Sequence, residues 1–181
     1  GETLWLREMR DLTEWISDPI FAEVNGDGIM DVVSLSILGI GQPVENGEWR
    51  EWGGSATVEA LSGETGEPLW KYELGDLRLD WHREESGREV VDSIPLQLVD
   101  INGVPAIVFV AEKKIVMLDV KSGASIHNPI ELEARPERPL RFFSTDTGTA
   151  VLLLLLDPST KPVVNYVLES WSLEHGDKLW R

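Results

Sequence analysis

One phrase returns four times in this chain and constrains the fold more than any other feature. Gly1-Glu2-Thr3-Leu4-Trp5, Gly66-Glu67-Pro68-Leu69-Trp70, Gly123-Ala124-Ser125-Ile126-His127 and Gly176-Asp177-Lys178-Leu179-Trp180 each set a large flat side chain four residues after a glycine. The glycines lie 65, 57 and 53 residues apart. Self-similarity at such a spacing marks a repeat architecture, in which each unit buries its apolar face only against a neighbour. A second phrase, a turn followed by an apolar run, precedes each of the last three copies. It reads Asn25-Gly26-Asp27-Gly28 before Asp31–Leu38, Asn102-Gly103 before Ala106–Ala111, and Asp146-Thr147-Gly148 before Ala150–Leu156.

The periodicity inside each copy is that of strands. Trp70, Tyr72 and Leu74 alternate with Lys71 and Glu73, and Val33, Leu35 and Ile37 alternate with Ser34 and Ser36, the pattern of half-buried strands. Ile107–Val110 and Val151–Leu156 are short and continuously apolar, which fits strands covered on both faces. Further strands are expected at Ala56–Leu61, Lys114–Asp119 and Tyr166–Leu173, and shorter ones at Ile20–Val24, Leu96–Val99 and Leu140–Phe143. Four antiparallel strands per copy is the arithmetic of a propeller blade. Glu8–Ile16 is the one candidate for a short helix, and Gly39–Ser55, Gly75–Ser93 and His127–Pro139 read as irregular, charged loops.

The expected fold is therefore all-β, with about three four-stranded antiparallel sheets of β-propeller type in a partial or open propeller. The whole chain, 1–181, reads as one propeller segment, with repeats at roughly 17–74, 93–127 and 139–181, and with 1–16 as the end of a preceding blade plus a connector. Propellers close with about four to eight blades, so three leave two edges. Those edges call for cover by the chain's own loops, by a second copy, or by the remaining blades of a longer chain.

Composition narrows the partners. Asp and Glu number 32 against 16 Lys and Arg, a net charge of −16, and such a surface repels phosphate backbones and anionic headgroups. Nucleic acid is excluded as a partner on that ground. Membrane insertion is excluded because the longest apolar run, Ala150–Leu156, is far shorter than a bilayer span. With no cysteine there is no disulfide, thiolate metal site or thiol nucleophile.

Glu23-Val24-Asn25-Gly26-Asp27-Gly28-Ile29-Met30-Asp31-Val32-Val33 resembles the FG-GAP or VCBS repeat of integrin-type propellers. Val58-Glu59-Ala60-Leu61-Ser62-Gly63-Glu64-Thr65-Gly66-Glu67-Pro68-Leu69-Trp70 resembles the quinoprotein-like, PQQ-type propeller repeat. The second and third copies are degenerate: Asp100-Ile101-Asn102-Gly103 lacks the Asp-Gly pair, and Ser144–Gly148 keeps only the turn. The resemblance implies a protein that is secreted, displayed on a cell surface or periplasmic, and that binds a protein or carbohydrate ligand.

It also implies calcium. Hard oxygens at alternate positions of a tight loop converge on one point, and a glycine permits the bend. On the family pattern Glu23, Asn25, Asp27 and Asp31 would supply side-chain oxygens and Ile29 its carbonyl; the same Asn-Gly and Asp-Gly pairs are equally the commonest tight turns. Trp5, Trp70 and Trp180 recur with the repeat and read as packing residues between units. Trp49, Trp52 and Trp81 stand in the polar loops, where aromatics anchor a ligand or fold over an open edge.

Catalytic signals in the sequence are weak. His127 fills the tryptophan slot of its repeat, His175 fills a turn slot, and no H-E-x-x-H, G-x-S-x-G or P-loop pattern occurs. The expected function is a non-catalytic binding or scaffold module. The alternative is a fragment of a quinoprotein-like or carbohydrate-active enzyme whose catalytic residues lie outside these 181 residues.

Overall fold

The computed structural model describes residues 5–6, 13–39, 52–79, 81–83, 89–91, 93–134, 136, 141–145, 148–156 and 166–180. The described residues are strands and turns, with no helix among them. Two compact units result. One comprises Gly1–Leu96 with Lys121–Ala124, the other Gln97–Val120 with Ser125–Arg181.

The first unit holds one large antiparallel sheet. Its strands are β1 (Thr13–Trp15), β2 (Ile20–Ala22), β3 (Asp31–Gly39), β4 (Trp52–Leu61) and β5 (Pro68–Leu79). β1 and β2 pair with opposite ends of the same edge of β3, Thr13–Trp15 against Ser36–Leu38 and Ile20–Ala22 against Asp31–Val33. They thus share one strand position, and the sheet has the four positions of a blade. The break between them is filled by a side chain: Leu35 N–H donates to Ser17 Oγ at 3.0 Å, and Ile16 N–H donates to the Leu35 carbonyl at 3.1 Å. Pro19, without an N–H, stands immediately before the second piece. The helix expected over Glu8–Ile16 is corrected at Thr13–Trp15, which β3 draws into the sheet; 8–12 lie outside the described residues.

The loop expected from Gly75 is also corrected. Gly75, at φ +80°, sits where the β4–β5 register shifts between Ala56 and Thr57. A glycine at positive φ takes up the extra residue of a bulge, so the strand bends there and runs on to Leu79. Trp52–Ser55 continues β4 in the same way. A separate hairpin pairs β6 (Trp81–Arg83) with β7 (Glu89–Val91).

The second unit contains two four-stranded antiparallel sheets. The first is built from β8 (Gln97–Ile101), β9 (Val104–Ala111), β10 (Lys114–Asp119) and β11 (Ile130–Glu131). The second is built from β12 (Arg141–Thr145), β13 (Gly148–Leu156), β14 (Tyr166–Ser172) and β15 (Lys178–Trp180). Val108, Ile115 and Met117 of one and Val151, Leu153 and Leu155 of the other join a single buried cluster. Ile107 and Phe109, on the opposite face of β9, are buried as well, so the continuous apolar run reflects a strand covered on both faces.

One fourth strand departs from the sequence reading. Ser125 makes only an isolated bridge to Leu118, the chain bends away at Ile126 and His127, and pairing resumes where Ile130 and Glu131 meet Ile115 and Lys114. Pro129 supplies no N–H for the ladder. Gly123–His127 is therefore not a continuous strand, and His127 does not occupy the tryptophan position.

Candidate functional site

The chemistry-bearing residues cluster at one recurring place, the turn joining the third and fourth strands of a sheet. In the first sheet Ser62 N–H donates to the Glu67 carbonyl at 2.9 Å and Gly66 N–H to the Ser62 carbonyl at 2.8 Å. Ser172 and Gly176 repeat both bonds, to Asp177 at 2.9 Å and to Ser172 at 3.0 Å. The serine hydroxyl accepts a turn N–H in both, from Thr65 at 3.2 Å and from His175 at 3.3 Å. The glycine that closes each turn lies in the left-handed region, at φ +73°, +68° and +70° for Gly66, Gly123 and Gly176.

Each of these glycines carries a large side chain. The indole of Trp5 lies on Gly66, where an added Cβ would come within 2.7 Å of Trp5 Cδ2, and the indole of Trp70 lies on Gly123, where the same distance to Cε3 is 2.5 Å. Trp5 also donates its N–H to the Gly63 carbonyl at 2.9 Å. Over Gly176 the place is taken by Ile130, at 3.5 Å from such a Cβ. The smaller side chain leaves more room: a cleft of about 490 Å³ opens among His127, Asn128, Pro129, Ile130, Trp171 and His175. Its counterpart beside Trp5 and Gly66 measures about 330 Å³.

The turns are also tied to the start of the second strand, by a shared backbone bond in two sheets and by a carboxylate in the first. Val120 N–H donates to the Pro105 carbonyl and Leu173 N–H to the Thr149 carbonyl, both at 3.0 Å. In the first sheet Gly63 N–H instead donates to Asp31 Oδ1 at 2.9 Å. By register Asp31 stands where the other two sheets have Ala106 and Ala150. Its carboxylate is 0% exposed, and its Oδ2 also accepts the Val24 N–H at 2.9 Å and the Asn25 N–H at 3.4 Å. In the third sheet the carboxylate comes from the turn itself: Glu174 accepts the Thr149 N–H and the Ser172 hydroxyl.

The oxygens of the Glu23–Asp31 loop, those the calcium expectation names, also take part in local hydrogen bonds. Asn25 Nδ2 donates to Asp27 Oδ2 at 2.8 Å, Asp27 Oδ1 accepts the Ile29 N–H at 2.7 Å, Asn25 Oδ1 accepts the Asp27 N–H at 3.0 Å, and Glu23 accepts the Gly26 N–H. Asp31, turned inward, is held by three backbone groups. No group of three or more His, Cys, Asp or Glu able to hold a metal occurs among the described residues. Each of these oxygens accepts a hydrogen bond, and a carboxylate oxygen keeps a second lone pair for a further partner. Asp31→Ala is expected to cost about 2 kcal/mol, because the Val24, Asn25 and Gly63 N–H groups lose their acceptor. Denaturant titration of both proteins checks this.

A second polar cluster was not singled out from the sequence. Glu169 on β14 is 0% exposed and takes Lys178 Nζ at 2.9 Å and Trp171 Nε1 at 3.0 Å. Lys178 reaches Glu133 at 3.2 Å as well and lies 5.1 Å from the centre of the Trp171 ring. The Glu169 hydrogen bond, opposed by burial and aided by the Glu133 hydrogen bond and the charges of both acids, raises the Lys178 ammonium above its usual 10.5. The first sheet carries a looser version, Glu59 to Lys71 at 3.8 Å. A signal for it existed, since Glu59 and Glu169 both stand seven residues before the glycine of the repeated phrase.

Of the tryptophans expected to bind or to cover an edge, Trp49 lies outside the described residues. Trp52 and Trp81 are not in loops: they belong to β4 and β6, paired with Leu79 and Val91. No helix among the described residues is long and apolar enough to cross a membrane. Comparison with protein-family models, with curated proteins and with solved structures finds no match to this chain.

Proposed function

We propose that the chain is a non-catalytic propeller-type scaffold and binding module whose ligand is a protein. One observation carries this reading: three of the buried carboxylates among the described residues are engaged in holding the sheets together. Asp31 takes the N–H groups of Val24 and Gly63, Glu174 takes Thr149 N–H and the Ser172 hydroxyl, and Glu169 takes Lys178 and Trp171. A general acid, base or nucleophile has to face a substrate in a cleft; these three groups face backbone or neighbouring side chains of their own unit. The resemblance of 23–33 and 58–70 to propeller repeats supports the same reading.

The test separates it from the enzyme alternative. Incubation with a quinone cofactor, followed by gel filtration and an absorbance scan, is expected to leave no chromophore on the protein. A retained chromophore overturns the reading.

A further inference from the structure

Three large apolar side chains stand out from one end of the first sheet. Phe21 is 60% exposed, Met30 61% and Ile29 40%. Phe21 of β2 pairs with Val32 of β3, and Met30 precedes Val32 by two residues, so the period of the strand carries both to the same face. Ile29 leans on the turn between the third and fourth strands: its Cγ2 would lie 3.1 Å from a Cβ added at Gly63. At the Gly66 end of that turn lies the cleft of about 330 Å³ lined by Trp5, Leu6, Thr65, Glu67 and Pro68, in which Leu6 is 82% exposed. Single exposed apolar residues are ordinary, whereas a group of them beside a cleft marks an interaction surface.

The same end carries one sign of charge. Residues 13–34 and 61–70 contain no Lys, Arg or His, and their Asp18, Glu64 and Glu67 are exposed and form no ion pair among the described residues. Exposed acids of the second unit are matched instead, Glu131 by Lys114 at 3.1 Å and Glu133 by Lys178 at 3.2 Å. Aromatic and methionine side chains at the centre of a polar rim are the anatomy of a protein interface, and a rim of one unopposed sign selects a partner of the other sign.

We propose that the Phe21–Met30 end of the first sheet docks a basic segment of a partner protein that carries apolar anchors. Its Lys or Arg side chains would meet Asp18, Glu64 and Glu67, and its apolar side chains would cover Phe21, Ile29 and Met30. A second copy of this chain does not meet the requirement, because it would bring like carboxylates together at a net charge of −16 on each molecule. The proposal rests on the reading above that the ligand is a protein, and it names the surface and the chemistry of that ligand.

Methyl-labelled methionine reports on the site, since the chain has three methionines, of which Met30 is exposed and Met117 buried; Met30→Leu assigns the signal. The probe is a short synthetic peptide in which lysines flank leucines. Titrated into the full chain at low salt, it is expected to shift the Met30 methyl signal and to leave that of Met117 in place. Phe21→Ser and the charge reversal Glu64→Lys are each expected to weaken binding about tenfold, and salt raised from about 0.05 to about 0.3 M is expected to weaken it as well. Leu98→Ser, which removes an exposed apolar residue of the second unit, is expected to leave binding unchanged. An unmoved Met117 signal shows that each variant is folded, and Glu64→Lys, on an exposed turn, keeps the test decisive should Phe21→Ser fail to fold. A Met30 signal that stays put on titration overturns the proposal, as does a Phe21→Ser or Glu64→Lys chain that is folded and binds as tightly as the natural one. Equal binding of a peptide with serine for leucine, or with glutamate for lysine, overturns it too, and so does a parent chain that is dimeric by light scattering with Met30 covered. A chromophore retained in the quinone test would remove the scaffold reading, whereas a failed peptide titration removes only this surface.

Discussion

Lys178→Met is expected to cost about 2 kcal/mol, because the buried Glu169 carboxylate loses a charge-assisted hydrogen bond from a part-exposed ammonium. Glu169 has no exposed surface, and its Oε1 loses the 2.9 Å ammonium contact; Trp171 Nε1 at 3.0 Å cannot replace a full charge. Replacing both partners, Lys178→Met with Glu169→Leu, is expected to recover part of the loss, since an apolar pair of similar volume removes the desolvation cost along with the attraction. Denaturant titrations of the three proteins measure it.

The pH dependence has a definite sign. The ammonium is held above its ordinary 10.5 by Glu169, so the folded chain binds that proton more tightly than the unfolded one. The stabilisation is complete below that ordinary value and is lost as the pH climbs above it. The stability difference between the natural chain and Lys178→Met is expected to stay flat through neutral pH and to shrink in strong alkali. A difference that stays unchanged through strong alkali would assign the effect to another group.

Gly123→Ala is expected to cost about 3 kcal/mol, from about 1–2 kcal/mol for holding alanine in a left-handed conformation and a further 1–2 for pushing its methyl into a packed ring. The φ is +68°, and the methyl would lie 2.5 Å from Trp70 Cε3. Gly103→Ala is the control: its φ is +80° with nothing within 4 Å of the added atom, so only the conformational part, about 1 kcal/mol, applies. Equal losses at the two positions would mean that the Trp70 contact contributes nothing. Urea titration followed by tryptophan emission reads both stability and the release of the Trp70 ring.

Much of the architecture is legible in the residues alone because a strand writes a period of two into its own sequence. Lys114–Asp119 is a strand as expected, Asp31–Leu38 is extended by one residue, and Ala150–Leu156 by two. The alternation Val33, Leu35, Ile37 marks a buried face, and the repeated glycine phrase marks a turn whose bonds recur between Ser62 and Ser172. These are local facts, set by propensity, turn chemistry and the identity of neighbours along the chain.

What the sequence did not contain is anything that depends on which distant residue arrives opposite. Thr13–Trp15 is a strand because β3 offers Ser36–Leu38 as partners, and Gly75 is a bulge because β4 continues beside it. The family resemblance implies Asp31 as a calcium ligand, and only the structure shows that its side chain meets the Gly63 N–H, 32 residues away, in a place where its sister sheets hold alanine. His127 has the tryptophan's position along the chain, while Ile130 has its position in space, over Gly176. Spacing is counted in residues, whereas hydrogen bonds and contacts are made across the sheet. The chain thus dictates its strands and turns, and the tertiary structure alone decides what each turn holds.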